Sequence, residues 1–148
     1  MQRPAVEPIG LQLTRTAKVL SRAFDDALAE VGGSLPAWLV LVSLKAGGHG
    51  TQRELADAVG IEPATLTHHL HRMEADGLVQ RTREPENRRV QRVELTDAGE
   101  AAFVRLLGAV TAFDTRLRAG LSRSEVVALG DLLGRLRANA EADKEVMS

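Results

Sequence analysis

Five arginines crowd one short stretch of this chain: Arg81, Arg83, Arg88, Arg89 and Arg92. Between Leu78 and Val93 only Glu84 and Glu86 oppose them, a local charge of +3 in a chain whose formal net charge is −1. A guanidinium stays charged at physiological pH and donates from a rigid planar fork, which suits phosphate and base-edge acceptors. Nucleic-acid binding requires such a local basic surface more than a basic total. Just upstream stand His68 and His71, three residues apart, with Thr65, Thr67 and Arg72 around them. Hydroxyl, imidazole and guanidinium groups gathered on one helix face are the types that reach the phosphates and base edges of a duplex.

Those side chains need elements to hold them. Alternating runs through Leu78, Val79 and Gln80, and through Val90, Val93 and Leu95, flank Glu84-Pro85-Glu86-Asn87. Pro and Asn between two such runs signal a turn, so this stretch reads as a β-hairpin with a charged tip. Ahead of it, Thr51 and Glu54 form a T-x-x-E capping box. Gly60 breaks that short helix, Pro63 fits the first turn of the next, and Gly77 ends it. Helix, tight turn and helix over Thr51–Asp76 make a helix–turn–helix pattern. At about 100° per residue, Leu66, Leu70 and Met73 form a buried seam. Ala64, His68, His71 and Ala75 lie opposite, with Thr65, Thr67 and Arg72 on the flanks and His69 nearer the seam. Thr67, His68 and His71 are the candidates for base edges, and Thr51, Thr65 and Arg72 for phosphates. An isolated helix face of this kind is ordinarily plain surface. The basic hairpin directly after it favours DNA recognition.

Longer helices bracket this core. Leu13, Ala17, Leu20, Phe24, Leu28 and Val31 form one stripe of a helix from about Ile9 to Val31, ended by Gly32-Gly33. Ser34 suits the N-cap of an apolar helix carrying Trp38, Leu39, Leu41, Val42 and Leu44, closed by Gly47 to Gly50, with His49 in the loop. Thr96 caps a helix to about Ala119, and Ser122 with Glu125 opens the last one. The fold expected is mainly α with a small β-wing: one domain over 1–148, a winged helix–turn–helix core over 34–96, and dimerisation helices over 9–31 and 97–140. So small a winged core leaves the long terminal stripes uncovered, so a homodimer is expected.

The composition removes other chemistries. There are no cysteines, hence no disulfide, thiolate zinc site or thiol switch. His68 and His71 share a face that Glu74 or Asp76 could complete as a metal site, but that face is claimed by DNA, and no metal or cofactor is expected. No G-x-S-x-G, P-loop or H-E-x-x-H motif appears, so no enzyme is expected. With aromatics at 3% and no Tyr, stacking platforms for single strands are not expected. The first residues, MQRPAVEPIG, lack the apolar run of a secretory signal, and no apolar run reaches the ~18 residues of a membrane span. A cytoplasmic location is therefore the expectation.

The layout resembles the MarR (multiple-antibiotic-resistance regulator) family of winged-helix transcription factors over nearly the whole chain. The specific pieces are Met73 through Gly77-Leu78-Val79-Gln80-Arg81, then Asn87-Arg88-Arg89, then Leu95-Thr96-Asp97-Ala98-Gly99. Each is weak alone, but their order and separations together are specific. The resemblance implies a homodimeric, sequence-specific regulator, most often a repressor, on a pseudo-palindromic DNA site. It implies a recognition helix in the major groove and a wing arginine, here Arg89 by position, in the minor groove. It also implies release by a small aromatic or phenolic effector in a cleft that Phe24 and Trp38 could line, although the plainer reading places both residues in ordinary core. Asn87 stands where the family usually has Asp, which weakens the bond ordering the wing unless Glu84 or Glu86 replaces it. The rival reading is a winged-helix module for protein–protein contact without DNA binding.

Overall fold

Turn chemistry marks out the elements. The computed structural model describes residues 6–47 and 50–146, with side chains as far as residue 142, so the expected loop position of His49 lies outside the described residues. The order is α1 (Ile9–Glu30), α2 (Leu35–Lys45), α3 (Gln52–Val59), α4 (Pro63–Ala75), β1 (Val79–Arg83), β2 (Gln91–Leu95), α5 (Asp97–Leu117) and α6 (Arg123–Val146). The Ser34 hydroxyl accepts from the Ala37 N–H at 3.3 Å and caps α2, and the Thr51 hydroxyl does the same for α3 from Glu54 at 3.1 Å. Glu62 makes no side-chain cap for α4, where Pro63 sets the first turn instead. Ser122 and Glu125 satisfy each other's backbone N–H groups at 3.1 and 2.9 Å, a full capping box at the head of α6.

The chain divides into two compact units, Met1–Thr111 and Ala112–Ser148, with the division inside α5. The first unit holds the core. Leu28, Val40, Leu41, Leu55, Leu66, Leu70 and Leu106 are fully buried there, with Trp38, Val79, Val93 and Ala102. Burying one such aliphatic side chain is worth about 1.5–3 kcal/mol. Trp38 stacks on Phe103 of α5, ring centroids 5.6 Å apart and planes 9° apart, and the Lys45 ammonium lies over the Phe103 ring, paired to Glu100 at 2.9 Å. α1 contributes little to this core: Leu28 is its buried residue, while Leu13 and Leu20, expected in the same stripe, are exposed. Among the described residues no single helix is long and apolar enough to cross a membrane.

β1 and β2 form a two-stranded antiparallel wing in the register Val79↔Leu95, Arg81↔Val93 and Arg83↔Gln91. A single bridge between Thr51 and Arg92, with the Val93 N–H donating to Gly50 O at 2.8 Å, ties the head of α3 to the wing. The wing joins α4 through a tight reversal. Gly77 takes φ +77°, and the N–H groups of Gly77 and Leu78 return to Glu74 O and Met73 O at 3.0 and 2.9 Å. This is a Schellman close, which needs a left-handed residue at that point. α5 then packs against the same turn. Thr96 N–H donates to Leu78 O at 3.1 Å, its hydroxyl donates to Gly77 O, and that hydroxyl oxygen caps α5 by accepting from Gly99 N–H at 3.0 Å.

Gly99 sits so close that an added Cβ would meet Leu78 O at 2.0 Å. Backbone cannot step aside as a flexible side chain can. Gly99→Ala is therefore expected to destabilise the fold by about 1–3 kcal/mol, the usual cost of overpacking. Urea unfolding beside the exposed control Ala98→Gly checks this; equal losses would contradict it.

Candidate nucleic-acid interface

Three groups of side chains converge where α4 meets the wing. The first is the exposed face of α4. Leu66, Leu70 and Met73 are buried as the helical period requires, which turns Thr65, His68, His71 and Arg72 outward. His69 is half-buried beside them, its ring edge-on to His68 at 5.7 Å.

Thr67 behaves differently from the sequence expectation. It is half-buried; its hydroxyl donates to Pro63 O at 2.9 Å and accepts from Gln52 Nε2 at 2.6 Å. Its single proton is spent within the helix, so it cannot donate to a base edge. Thr67 and Gln52 instead clamp α3 to α4. Gln52 carried no sequence signal, because an isolated Gln at a helix start is ordinary. Thr51 likewise is half-buried, its hydroxyl oxygen in the α3 cap and its backbone bridged to Arg92.

The second group corrects the reading of Arg81. This guanidinium does not extend to the wing tip. Its side chain is 11% exposed, and its Nη2 and Nε donate to the two carboxylate oxygens of Glu74 at 3.1 and 3.4 Å. The Arg81 backbone N–H adds a bond to Glu74 Oε2 at 3.1 Å, and Nη2 also lies 2.8 Å from His71 Nδ1. The strand period explains this: Val79 and Arg81 share a face, and Val79 is buried. Glu74, weighed from sequence only as a metal ligand, is the acceptor that makes burial of Arg81 tolerable. Among the described residues, no group of three His, Cys, Asp or Glu side chains is placed to hold a metal ion.

The third group is the wing tip. Glu84 accepts from Arg92 Nε, and Glu84 N–H donates to Val90 O at 3.0 Å. Asn87 accepts from Arg89 N–H at 3.2 Å through its side chain and from Val90 N–H at 2.9 Å through its carbonyl. The turn is thus ordered by an Asx-type bond and by Glu84, one of the two acids expected to replace the missing Asp. With Arg81 and Arg92 paired, Arg83, Arg88 and Arg89 remain as exposed charge; no ion pair among the described residues engages them.

Phe24 and Trp38, expected from sequence to line an effector cleft, pack with the core: Trp38 is 8% exposed and stacked on Phe103, and Phe24 is half-buried against the same core. One cavity of the first unit, of about 290 Å³, takes its polar lining from Ser34, His69, Arg72, Asp76 and Arg105. Pro36, Met73, Leu78 and Leu106 supply apolar wall, and Arg105 is steadied by donating to Val31 O at 2.8 Å.

This geometry has known counterparts. The repressor MdtR of Bacillus subtilis, an HTH-type transcriptional repressor, is 32% identical over 117 residues, 78% of this chain and 76% of its own length. A model of the MarR family matches residues 34–90. The chain belongs to the MarR family. It is a winged-helix transcriptional regulator, and its helices and two-stranded wing are those of the family's solved structures. The transcriptional repressor CouR, bound to a 23-mer DNA duplex, superimposes with a TM-score of 0.80 at 30% identity, over 88% of this chain and 92% of that one. A probable transcriptional regulator of Pseudomonas aeruginosa gives a TM-score of 0.76 at 28% identity, over 88% and 97%. The family signature now has a physical content in this chain: Gly77 and Gly99 permit the turn, Thr96 ties it, and Arg81 closes it on Glu74.

The Glu74–Arg81 contact has a pH signature. The Arg81 side-chain and backbone N–H groups hold the Glu74 carboxyl below its ordinary range. A carboxyl depressed on folding stabilises the fold above its unfolded value, and that contribution is lost as pH falls through the folded one. Glu74→Gln is therefore expected to lower stability by about 0.2–1 kcal/mol near neutral pH, the scale of a partly exposed pair. The gap from the parent protein should hold from pH 8 to 6 and close below about pH 5. Thermal melts across that range check it; an unchanged gap at low pH would contradict it.

Proposed function

We propose that this regulator is a homodimeric, sequence-specific repressor that seats α4 in a major groove and its wing tip in the adjoining minor groove of a pseudo-palindromic site. The observation that carries the reading is the placement of Arg83, Arg88 and Arg89. Three guanidinium groups that no ion pair among the described residues engages end a hairpin whose root is pinned to the exposed face of α4 through Arg81 and Glu74. Arg89 is the minor-groove arginine, with Arg83 and Arg88 on flanking phosphates. His68 and His71 read base edges, and Thr65 and Arg72 hold phosphates. A protein–protein module has no evident use for a bare arginine tip of this kind. The protein acts by binding rather than catalysis, in the cytoplasm with its DNA.

Dimerisation is supported by apolar surface. In the first unit Ile9, Leu11, Val19 and Val104 are exposed, Val19 and Val104 by 69% and 68%. In the second unit Leu121, Val127, Leu129 and Leu132 are exposed. Side chains of this kind in such number mark surfaces that another chain covers. The effector is a small aromatic or phenolic anion in the cavity beside His69, Arg72 and Arg105. Its volume of about 290 Å³ sits at the lower end of the roughly 300–1,000 Å³ of small-molecule sites. An anion there would draw Arg72 from a phosphate and so favour the DNA-free state.

Three measurements test these statements. Arg89→Ala is expected to weaken operator binding about ten-fold, or 1.4 kcal/mol, with a shallower salt dependence. Unchanged affinity by gel shift on DNA selected from random sequence would remove the wing from the interface. Sedimentation at micromolar concentration is expected to show a dimer, and a monomer would overturn that assignment. A panel of aromatic acids should contain one that weakens DNA binding in the parent protein but not in Arg105→Ala; release that survives the substitution would place the effector elsewhere.

A further inference from the structure

His71 Nδ1 lies 2.8 Å from Arg81 Nη2, and the chemistry of that contact admits one solution. A guanidinium has donors and no acceptor, and it does not lose its charge in proteins. The bond therefore runs from Arg81 to His71, and Nδ1 must be the bare nitrogen. The proton of the neutral ring then sits on Nε2, which takes part in no hydrogen bond among the described residues, on a side chain that is exposed. Arg81 in turn cannot swing away freely, because Glu74 accepts from its Nη2, its Nε and its backbone N–H. His68, on the same face, has no comparable partner among the described residues, where its ring meets the edge of His69.

We propose that Arg81, anchored by Glu74, is a positioning residue that locks His71 in the Nε2–H tautomer, so that α4 offers DNA a donor-only edge at that point. This rests on the reading of α4 as the base-reading helix. A donor at Nε2 matches guanine O6 and N7, adenine N7 and thymine O4, and it meets a like donor at cytosine N4. The specificity assigned to His71 is thus for a base with a major-groove acceptor, and against cytosine. Without Arg81 the ring can move its proton to Nδ1 and present an acceptor, and that discrimination should fade. The wing strand thereby sets the chemistry of a side chain on the neighbouring helix.

The test begins on the full-length protein without DNA. Long-range proton–nitrogen correlation spectra of the imidazole rings near pH 7.5 are expected to show His71 protonated at Nε2 alone. Arg81→Met should give a mixture of tautomers, and Glu74→Gln, which keeps the guanidinium but loosens its anchor, a partial mixture if Arg81→Met fails to fold. His71 protonated at Nδ1, or averaged in the parent protein, overturns the proposal whatever the protein does with DNA. The second arm uses a selected operator with each position changed to cytosine in turn. One position should lose about 3–10-fold, the scale of one hydrogen bond, and lose far less in Arg81→Met and in His71→Ala. The double variant should lose no more than either single one, the signature of one shared interaction. Additive losses would overturn the relay. If the free protein shows the locked tautomer but no operator position depends on His71, the DNA-reading role fails while the tautomer assignment stands.

Discussion

The carbonyl of Leu78 is where three elements meet, and the geometry of the candidate interface depends on it. It accepts from Thr96 N–H, and Gly99 rests against it with no room for a Cβ. One residue earlier, Gly77 reverses the chain out of α4 in a left-handed conformation. The result is a fixed angle between the helix, the wing that follows and the long helix α5. A wing on a slack linker could place arginines anywhere. A wing leaving so tight a junction places them at one distance from the helix face.

Charge is then distributed by what is buried. The hairpin carries five arginines, but they do not act alike. Arg81 is drawn onto the inner face by the strand period and is matched there by Glu74. Arg92 is held by Glu84 at the outer end of the wing. Desolvating a guanidinium is costly unless an acceptor is supplied, so the inner arginine needs its carboxylate. The exposed ones do not, and they keep their charge available to a polyanion. A composition count of +3 is thus resolved into two structural arginines and three presented ones.

Arg72 stands at another junction. It is exposed on α4 and also lines the cavity shared with Arg105 of α5 and Ser34 ahead of α2. In the function proposed above, such a group couples the DNA-binding face to the cavity, since it cannot serve both at full strength. The signal for this was absent from the sequence, where Arg72 stands out as a phosphate candidate but Arg105, far away in the chain, looks like ordinary helix surface. The aromatic pair that did stand out, Phe24 and Trp38, packs with the core, where Phe103 stacks on Trp38.

Local rules fixed much of this protein from sequence alone. Capping residues, turn glycines and helical periodicity located six helices and the hairpin among the described residues; most ends differ by a residue or two, but α6 runs to Val146, past the expected end near residue 140. They also identified the buried seam Leu66, Leu70 and Met73. The same alternation that revealed the strands could have placed Arg81 with Val79 on the inner face; the weight of its charge obscured it. Other outcomes depend on groups distant in the chain or on other elements, and no local pattern encodes them. Gln52 claims the Thr67 hydroxyl from the neighbouring helix. Glu74 and His71 receive Arg81 across the α4–β1 turn. Arg105 joins Arg72 around one cavity. Sequence determined which faces are apolar and where the chain turns, because those are properties of neighbouring residues. Tertiary structure decided which polar groups are spent within the fold and which are left to meet a partner, because a hydrogen bond is settled by whatever lies within about 3 Å.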